Sequence, residues 1–149
     1  MITFQRESLC QVVDEIDTLL KLHYQELTLN KDKIKLNPRW NEYAMLESLG
    51  RISVYTARDA GKLVGYSAFF VHHHLHYSDT IVAINDVLFL HPDHRKGTTG
   101  VRLIRFCEQD LRLQDVQKIV WHAKVDTNLE RLMPLLGYRV EDVMYGKML

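Results

Sequence analysis

The residues best placed to do chemistry lie in one stretch, Asn85 to Gly100. Val87–Leu90 is a run of four apolar residues ended by His91-Pro92, which suits a short buried strand. Arg95-Lys96-Gly97-Thr98-Thr99-Gly100 follows, and then a helical pattern carried by Val101, Ile104, Cys107 and Leu111, widened by Leu103 and Phe106. A Gly/Thr loop that opens a helix is suited to anions. The first backbone N–H groups of a helix have no internal partner, and the helix dipole adds partial positive charge there. The guest this loop fits is a phosphate or pyrophosphate. The bland alternative is an ordinary strand-to-helix turn with a solvated basic face.

Other groups invite chemistry less strongly. His72, His74 and His76 would share one face of a strand, with His73 opposite. That i, i+2, i+4 spacing seldom builds a tetrahedral cage and no cysteine completes it, so a solvated hairpin end is expected and no metal. Cys10 and Cys107 both fall on apolar helix faces and read as buried thiols rather than a disulfide or metal pair. His23 lies on a helical stripe and reads as a core-edge histidine.

The elements that must position these groups can be read from pattern. Ile2–Arg6 alternates as a strand. Ser8 and Gln11 have capping-box spacing ahead of a stripe from Leu9 to Leu27. Asn37-Pro38 reads as the start of a second helix holding Trp40, Tyr43 and Leu46, stopped at Gly50. Arg51–Arg58 and Leu63–Leu75 are strands joined by the turn Asp59-Ala60-Gly61-Lys62. A third strand follows Tyr77-Ser78-Asp79-Thr80 and ends at Leu90, giving an antiparallel meander. Gln117–Val125 reads as a strand, Thr127 and Glu130 as a cap, and Leu129–Leu136 as a short helix broken by Pro134. Arg139–Leu149 reads as a final strand or hairpin.

The chain has 149 residues, 46% hydrophobic and 26% charged, which suits a single soluble domain with a full core. Formal net charge is zero, which argues against a nucleic-acid partner. The N-terminus does not read as a signal peptide and no apolar run approaches the roughly 20 residues of a membrane span, so a cytoplasmic protein with no membrane partner is expected.

This order of elements resembles the GNAT superfamily of N-acetyltransferases. The resemblance is strongest over Asp86–Leu103, moderate over Ile119–Tyr138 and weak before Arg51. The family's cofactor signature, Arg/Gln-x-x-Gly-x-Gly/Ala, falls on Arg95-Lys96-Gly97-Thr98-Thr99-Gly100, with Thr98 where the first glycine is usual. The resemblance implies an α/β fold of the α+β type over residues 1–149. A central mixed, mostly antiparallel sheet would have splayed fourth and fifth strands and about four flanking helices. It also implies acetyl-CoA as acetyl donor, held by the backbone of Leu88, Phe89 and Leu90, by Arg95, Lys96, Gly97, Thr98, Thr99 and Gly100, and by Asn128. Asp86 is the first choice for the base that takes the ammonium proton, and His122 the second. The family's frequent tyrosine acid falls on Met133, which leaves Tyr138, Tyr145 or water to protonate the leaving thiol. Trp40, Tyr43, His74 and Tyr77 are the candidate walls of the acceptor cleft. A small-molecule or peptide amine is the implied substrate, and a homodimer is an option that the family offers. The alternative is a GNAT-fold module that binds CoA without turnover.

Overall fold

The computed structural model describes all residues, Met1–Leu149. In chain order they form β1 (Ile2–Glu7), α1 (Leu9–Leu27), α2 (Trp40–Ser48), β2 (Ile52–Asp59), β3 (Lys62–His74), β4 (Tyr77–Leu90), α3 (Thr99–Leu113), β5 (Lys118–Val120) and α4 (Asn128–Leu132). The sheet runs β1-β2-β3-β4-β5. Its first four strands are antiparallel and β5 is parallel to β4. No helix is long and apolar enough to cross a membrane.

Residues Ile52–Ala57 and Leu63–Phe69 are buried without a break, because β2 and β3 are covered on both faces. On one face Leu9, Val12 and Ile16 of α1 pack on Val54, Leu63, Tyr66 and Phe89. On the other, Leu103, Cys107 and Leu111 of α3 pack on Tyr55, Phe69, Ala83 and Leu90. The β2–β3 turn places Ala60 at φ 47° and Gly61 at φ 84°, the double positive φ of a type I′ hairpin turn.

The structure corrects several expectations. Ser8 makes no capping bond within α1. Instead Glu47, near the end of α2, accepts from the Leu9 N–H at 2.6 Å and from Ser8 Oγ at 3.1 Å. A carboxylate from another helix thus serves the positive end of α1. Cys10 is exposed, with Sγ 3.0 Å from Ser8 Oγ, so only Cys107 is a buried thiol. The second helix begins at Trp40 with Arg39 at its N-cap, and Asn37 and Pro38 instead line a cavity. The strand expected over Gln117–Val125 pairs only at Lys118–Val120. The expected final strand does not form. Val140 and Met148 would fall on one strand face and Val143 and Tyr145 on the other, so the tail has no single apolar face to bury, and β5 offers an edge of only three residues to pair with.

Gly65 faces Leu90 across the β3–β4 ladder. A Cβ there would lie 2.9 Å from the Phe89 carbonyl oxygen and 2.8 Å from Leu90 Cδ1. Gly65→Ala is therefore expected to push β4 outward at Phe89 and destabilise the fold by about 1–3 kcal/mol. Urea unfolding of the two proteins checks this, and an unchanged midpoint would show that β4 yields freely.

Candidate functional site

A break in the β3–β4 register organises the site. Ala68 pairs with Val87 and Phe69 with Asn85, so Asp86 is the extra residue of a β-bulge. The bulge reverses which residues face α3: Ile81 and Ala83 before it, Leu88 and Leu90 after it. Such bulges re-aim a side chain and sharpen strand twist. Asn85, only 2% exposed, holds the bulge from within. Its Nδ2 donates to the Val87 carbonyl at 2.9 Å, to Ser67 Oγ at 3.2 Å and to the Ala68 carbonyl at 3.3 Å. Ser67 Oγ also donates to the Val87 carbonyl at 2.9 Å.

Two consequences follow from the bulge. The first is the splay. β4 and β5 pair at Val82–Lys118, Ala83–Ile119 and Ile84–Val120, and the ladder stops there, two residues short of Asp86. Trp121 to Lys124 continue without a sheet partner. In a strand, alternate residues turn their N–H and C=O toward each neighbour. From Asn85 to Leu90 the groups turned away from β3 therefore have no strand to meet.

The second consequence is the setting of Asp86. Its carboxylate accepts a 2.7 Å hydrogen bond from Tyr43 of α2. Tyr43 is held in turn by Trp40, 5.7 Å away between ring centroids, and by stacking on Phe70 at 6.2 Å. Burial raises the Asp86 pKa above the usual carboxylate value, and the Tyr43 hydrogen bond and the nearby His122 pull partly against it. Burial, with the Asp86 carboxylate beside it, raises the Tyr43 phenol as well, so the phenol keeps its proton and remains the donor. Asp86 and Tyr43 lie on the wall of a cavity of about 300 Å³ between α1, the connection to α2, α2 itself and the sheet.

Tyr43→Phe removes the donor that lowers the Asp86 pKa. The acidic limb of any activity that needs Asp86 ionised is expected to move to higher pH. A pH–rate profile checks this, and an unmoved limb would separate Asp86 from the titrating step.

At the other end of β4, His91-Pro92 leads through a short 3₁₀ turn, Pro92–His94, into the loop. Gly97 alone takes a positive φ here, 75°, while Thr98 sits at φ −103°, which any residue adopts. The glycine displaced by one position thus supplies the turn, and Thr98 costs the backbone nothing. Thr98 is the N-cap of α3 but makes no side-chain capping bond, which leaves the first N–H groups of a 15-residue helix for a ligand. Lys96 stands exposed beside them. Arg95 turns back instead. Its Nε donates to the Leu90 carbonyl at 2.7 Å, its guanidinium pairs with both oxygens of Glu26, and it lies over Phe89 at 5.4 Å.

The remaining expected residues fall in different places. Trp40 and Tyr43 line the cavity with Asp86. His122 is exposed but close enough to Asp86 for its charge to act on the carboxylate. Asn128 is exposed at the first position of α4, behind the Thr127 cap. His74 and Tyr77 are not brought to the cavity: Tyr77 begins β4, nine residues and about 30 Å of strand from Asp86. The histidine rings make local bonds, His72 Nδ1 to the His73 carbonyl and His73 Nδ1 to the Ser78 carbonyl. Met133 is buried, and the Tyr138 hydroxyl donates to Glu108 of α3 at 2.7 Å. His23 is the core-edge residue expected of it, stacked on Phe89 at 5.0 Å and bonded through Nδ1 to the Tyr66 hydroxyl at 3.0 Å. Sequence reasoning gave Asn85 no role of its own, and it missed Ser67 and the part that segment 34–38 plays in the cavity wall. Only the polar pair Asn85-Asp86 within an apolar strand could have signalled the bulge.

Comparison with known proteins gives a consistent result. The model of the acetyltransferase (GNAT) family matches residues 16–135. A search of curated protein sequences gives no match. A ribosomal-protein-alanine N-acetyltransferase from Brucella melitensis biovar Abortus 2308 superposes with a TM-score of 0.76 at 19% identity, covering 100% of this chain and 99% of that one. An aminoglycoside acetyltransferase from an uncultured soil metagenomic sample gives 0.79 at 16% identity, with the same coverage. A predicted acetyltransferase from Clostridium acetobutylicum, whose crystal structure is with acetyl-CoA, gives 0.75 at 9% identity, covering 99% of this chain and 96% of that one. At these identities the structures are alike in fold.

Proposed function

The chain belongs to the GNAT acetyltransferase family, and we propose that it transfers an acetyl group from acetyl-CoA to a primary amine by direct attack in a ternary complex. One observation carries this reading: Asp86, half-buried on a bulge, stands between an apolar cavity and a stretch of β4 backbone that has no strand partner beyond β3. The residues present fit the donor. The groups over Leu88–Leu90 that turn away from β3, apart from the Leu90 carbonyl that Arg95 holds, suit a pantetheine arm, and an N–H among them aimed at its acyl oxygen suits an oxyanion site. The uncapped start of α3, with Lys96, Gly97, Thr98, Thr99 and Gly100, suits a pyrophosphate. Arg95 acts here by shaping the loop through Leu90 and Glu26, His122 is close enough to Asp86 for its charge to act on it, and the exposed Asn128 at the start of α4 is assigned to the donor by the family pattern alone.

When bound, acetyl-CoA supplies the acetyl group as an activated thioester. The protein's part is to bind, orient and move a proton. An amine arrives as ammonium at neutral pH, and Asp86 takes its proton, directly or through one water. Tyr43 keeps the carboxylate aimed as it does so. Tyr138 has its proton engaged by Glu108, Met133 has none to give and Tyr145 lies exposed on the unpaired tail, which favours protonation of the leaving thiolate from solvent.

Thermal unfolding with acetyl-CoA, followed by thiol release with an amine panel, tests the reading. Stabilisation that grows with acetyl-CoA concentration and thiol release dependent on an amine are expected. No stabilisation at millimolar acetyl-CoA would overturn it. Stabilisation without release by any amine would leave a CoA-binding module.

A further inference from the structure

The cavity beside Asp86 says more about the acceptor than the fold does. Its walls are apolar side chains of α1, the connection at Ile34, Leu36 and Pro38, and the rings of Tyr24, Trp40 and Tyr43. Among its lining residues Asp86 is the only carboxylate and Lys35 the only cation. The connection is held in shape, since the Tyr24 hydroxyl donates to the Ile34 carbonyl at 2.6 Å. A ligand with several ammonium groups would have to bury charge against apolar walls and beside a lysine, with one carboxylate to meet them all. A ligand with one amine and an apolar body meets a partner at each end.

We propose that the acceptor is a small primary monoamine on an uncharged apolar body, an alkyl or arylalkyl amine, with its body in this cavity and its nitrogen at Asp86. This rests on the transfer reading above. The new C–N bond forms as the thioester C–S bond breaks. The ammonium proton passes to Asp86 and on to solvent, and the thiolate takes up a proton from solvent. The apolar walls also disfavour the ammonium form, which eases its deprotonation.

The test is thiol release at saturating acetyl-CoA with n-butylamine, n-pentylamine, n-hexylamine, 1,6-diaminohexane and kanamycin. kcat/KM is expected to rise about fourfold per methylene along the monoamines. n-Hexylamine should exceed 1,6-diaminohexane by about tenfold or more. Ile34 is 46% exposed, so Ile34→Glu can add a second carboxylate at the wall without emptying the core. That variant should narrow the gap between hexylamine and its diamine by about tenfold. A flat series, or a diamine or kanamycin used as well as hexylamine, overturns the acceptor class while the transfer reading stands. If acetyl-CoA binds and no amine is turned over, the transfer reading fails, and calorimetric titration of the CoA-loaded protein decides the cavity. Preference for hexylamine over its diamine then supports the site, and equal or absent binding overturns it.

Discussion

Asp86→Asn is expected to lower the amine-dependent rate of thiol release by about 100-fold or more while leaving acetyl-CoA affinity within about twofold. The amide has no basic electron pair for the ammonium proton, yet it keeps the shape of the carboxyl and an oxygen for the Tyr43 hydroxyl. The same change should stabilise the protein at neutral pH. Burial raises the folded pKa of Asp86, so between its unfolded and folded values the native state binds the extra proton. Stability from this group is fully present below the ordinary carboxylate value and is lost as pH rises through the raised one. Above it, the fold holds a half-buried charge that the neutral amide would not impose. Melting temperatures of the two proteins should therefore agree near pH 4 and separate toward pH 7.5, with the variant higher. An unchanged rate would remove Asp86 as the base. A variant less stable at pH 7.5 would show that its charge is better compensated than the single Tyr43 hydrogen bond and His122 suggest.

The second large effect is expected at the start of α3. Gly100→Asp places a carboxylate in the first turn of a helix that has no acidic residue there. The site has room, since a Cβ would meet nothing nearer than Leu90 Cδ2 at 4.0 Å. A negative charge at a helix N-terminus favours the helix by about 0.3–1 kcal/mol, so the fold should be as stable as before or slightly more so. The same charge would stand where a pyrophosphate is proposed to sit. The KM for acetyl-CoA is expected to rise by about 10- to 100-fold, with kcat at saturation much less affected. Because stability and affinity move in opposite directions, loss of folding cannot imitate the result. An unchanged KM would move the phosphate site away from α3.

Much of this could be read along the chain. The meander, the Asp59–Lys62 turn, the run from Val87 through Gly100 and the helix after it all depend on neighbours within a few positions, where periodicity and turn chemistry act. The readings that failed depended on partners far off. Ser8 looked like a cap because of Gln11, but Glu47 serves that helix end from 38 positions away. Arg139–Leu149 carries enough apolar residues to read as a strand or hairpin, but their number does not create an edge to pair with. The place of His74 and Tyr77 also depended on tertiary distance, since the length of β4 sets them far from Asp86.

Local pattern and motif alone carry the order of elements as far as α4, the loop that opens α3 and the family. They also single out Asp86 as the acid residue on the strand before the loop. What that residue faces follows from the folded chain and from no stretch of sequence. The bulge exists as a mismatch between β3 and β4, and neither strand carries it alone. The Tyr43–Asp86 hydrogen bond joins residues 43 positions apart. The cavity wall draws on two helices, a connection and three strands. The displaced glycine shows the same division. The motif showed that Thr98 stands where a glycine is usual, but only the backbone angles show that Gly97 takes the turn and leaves Thr98 unstrained.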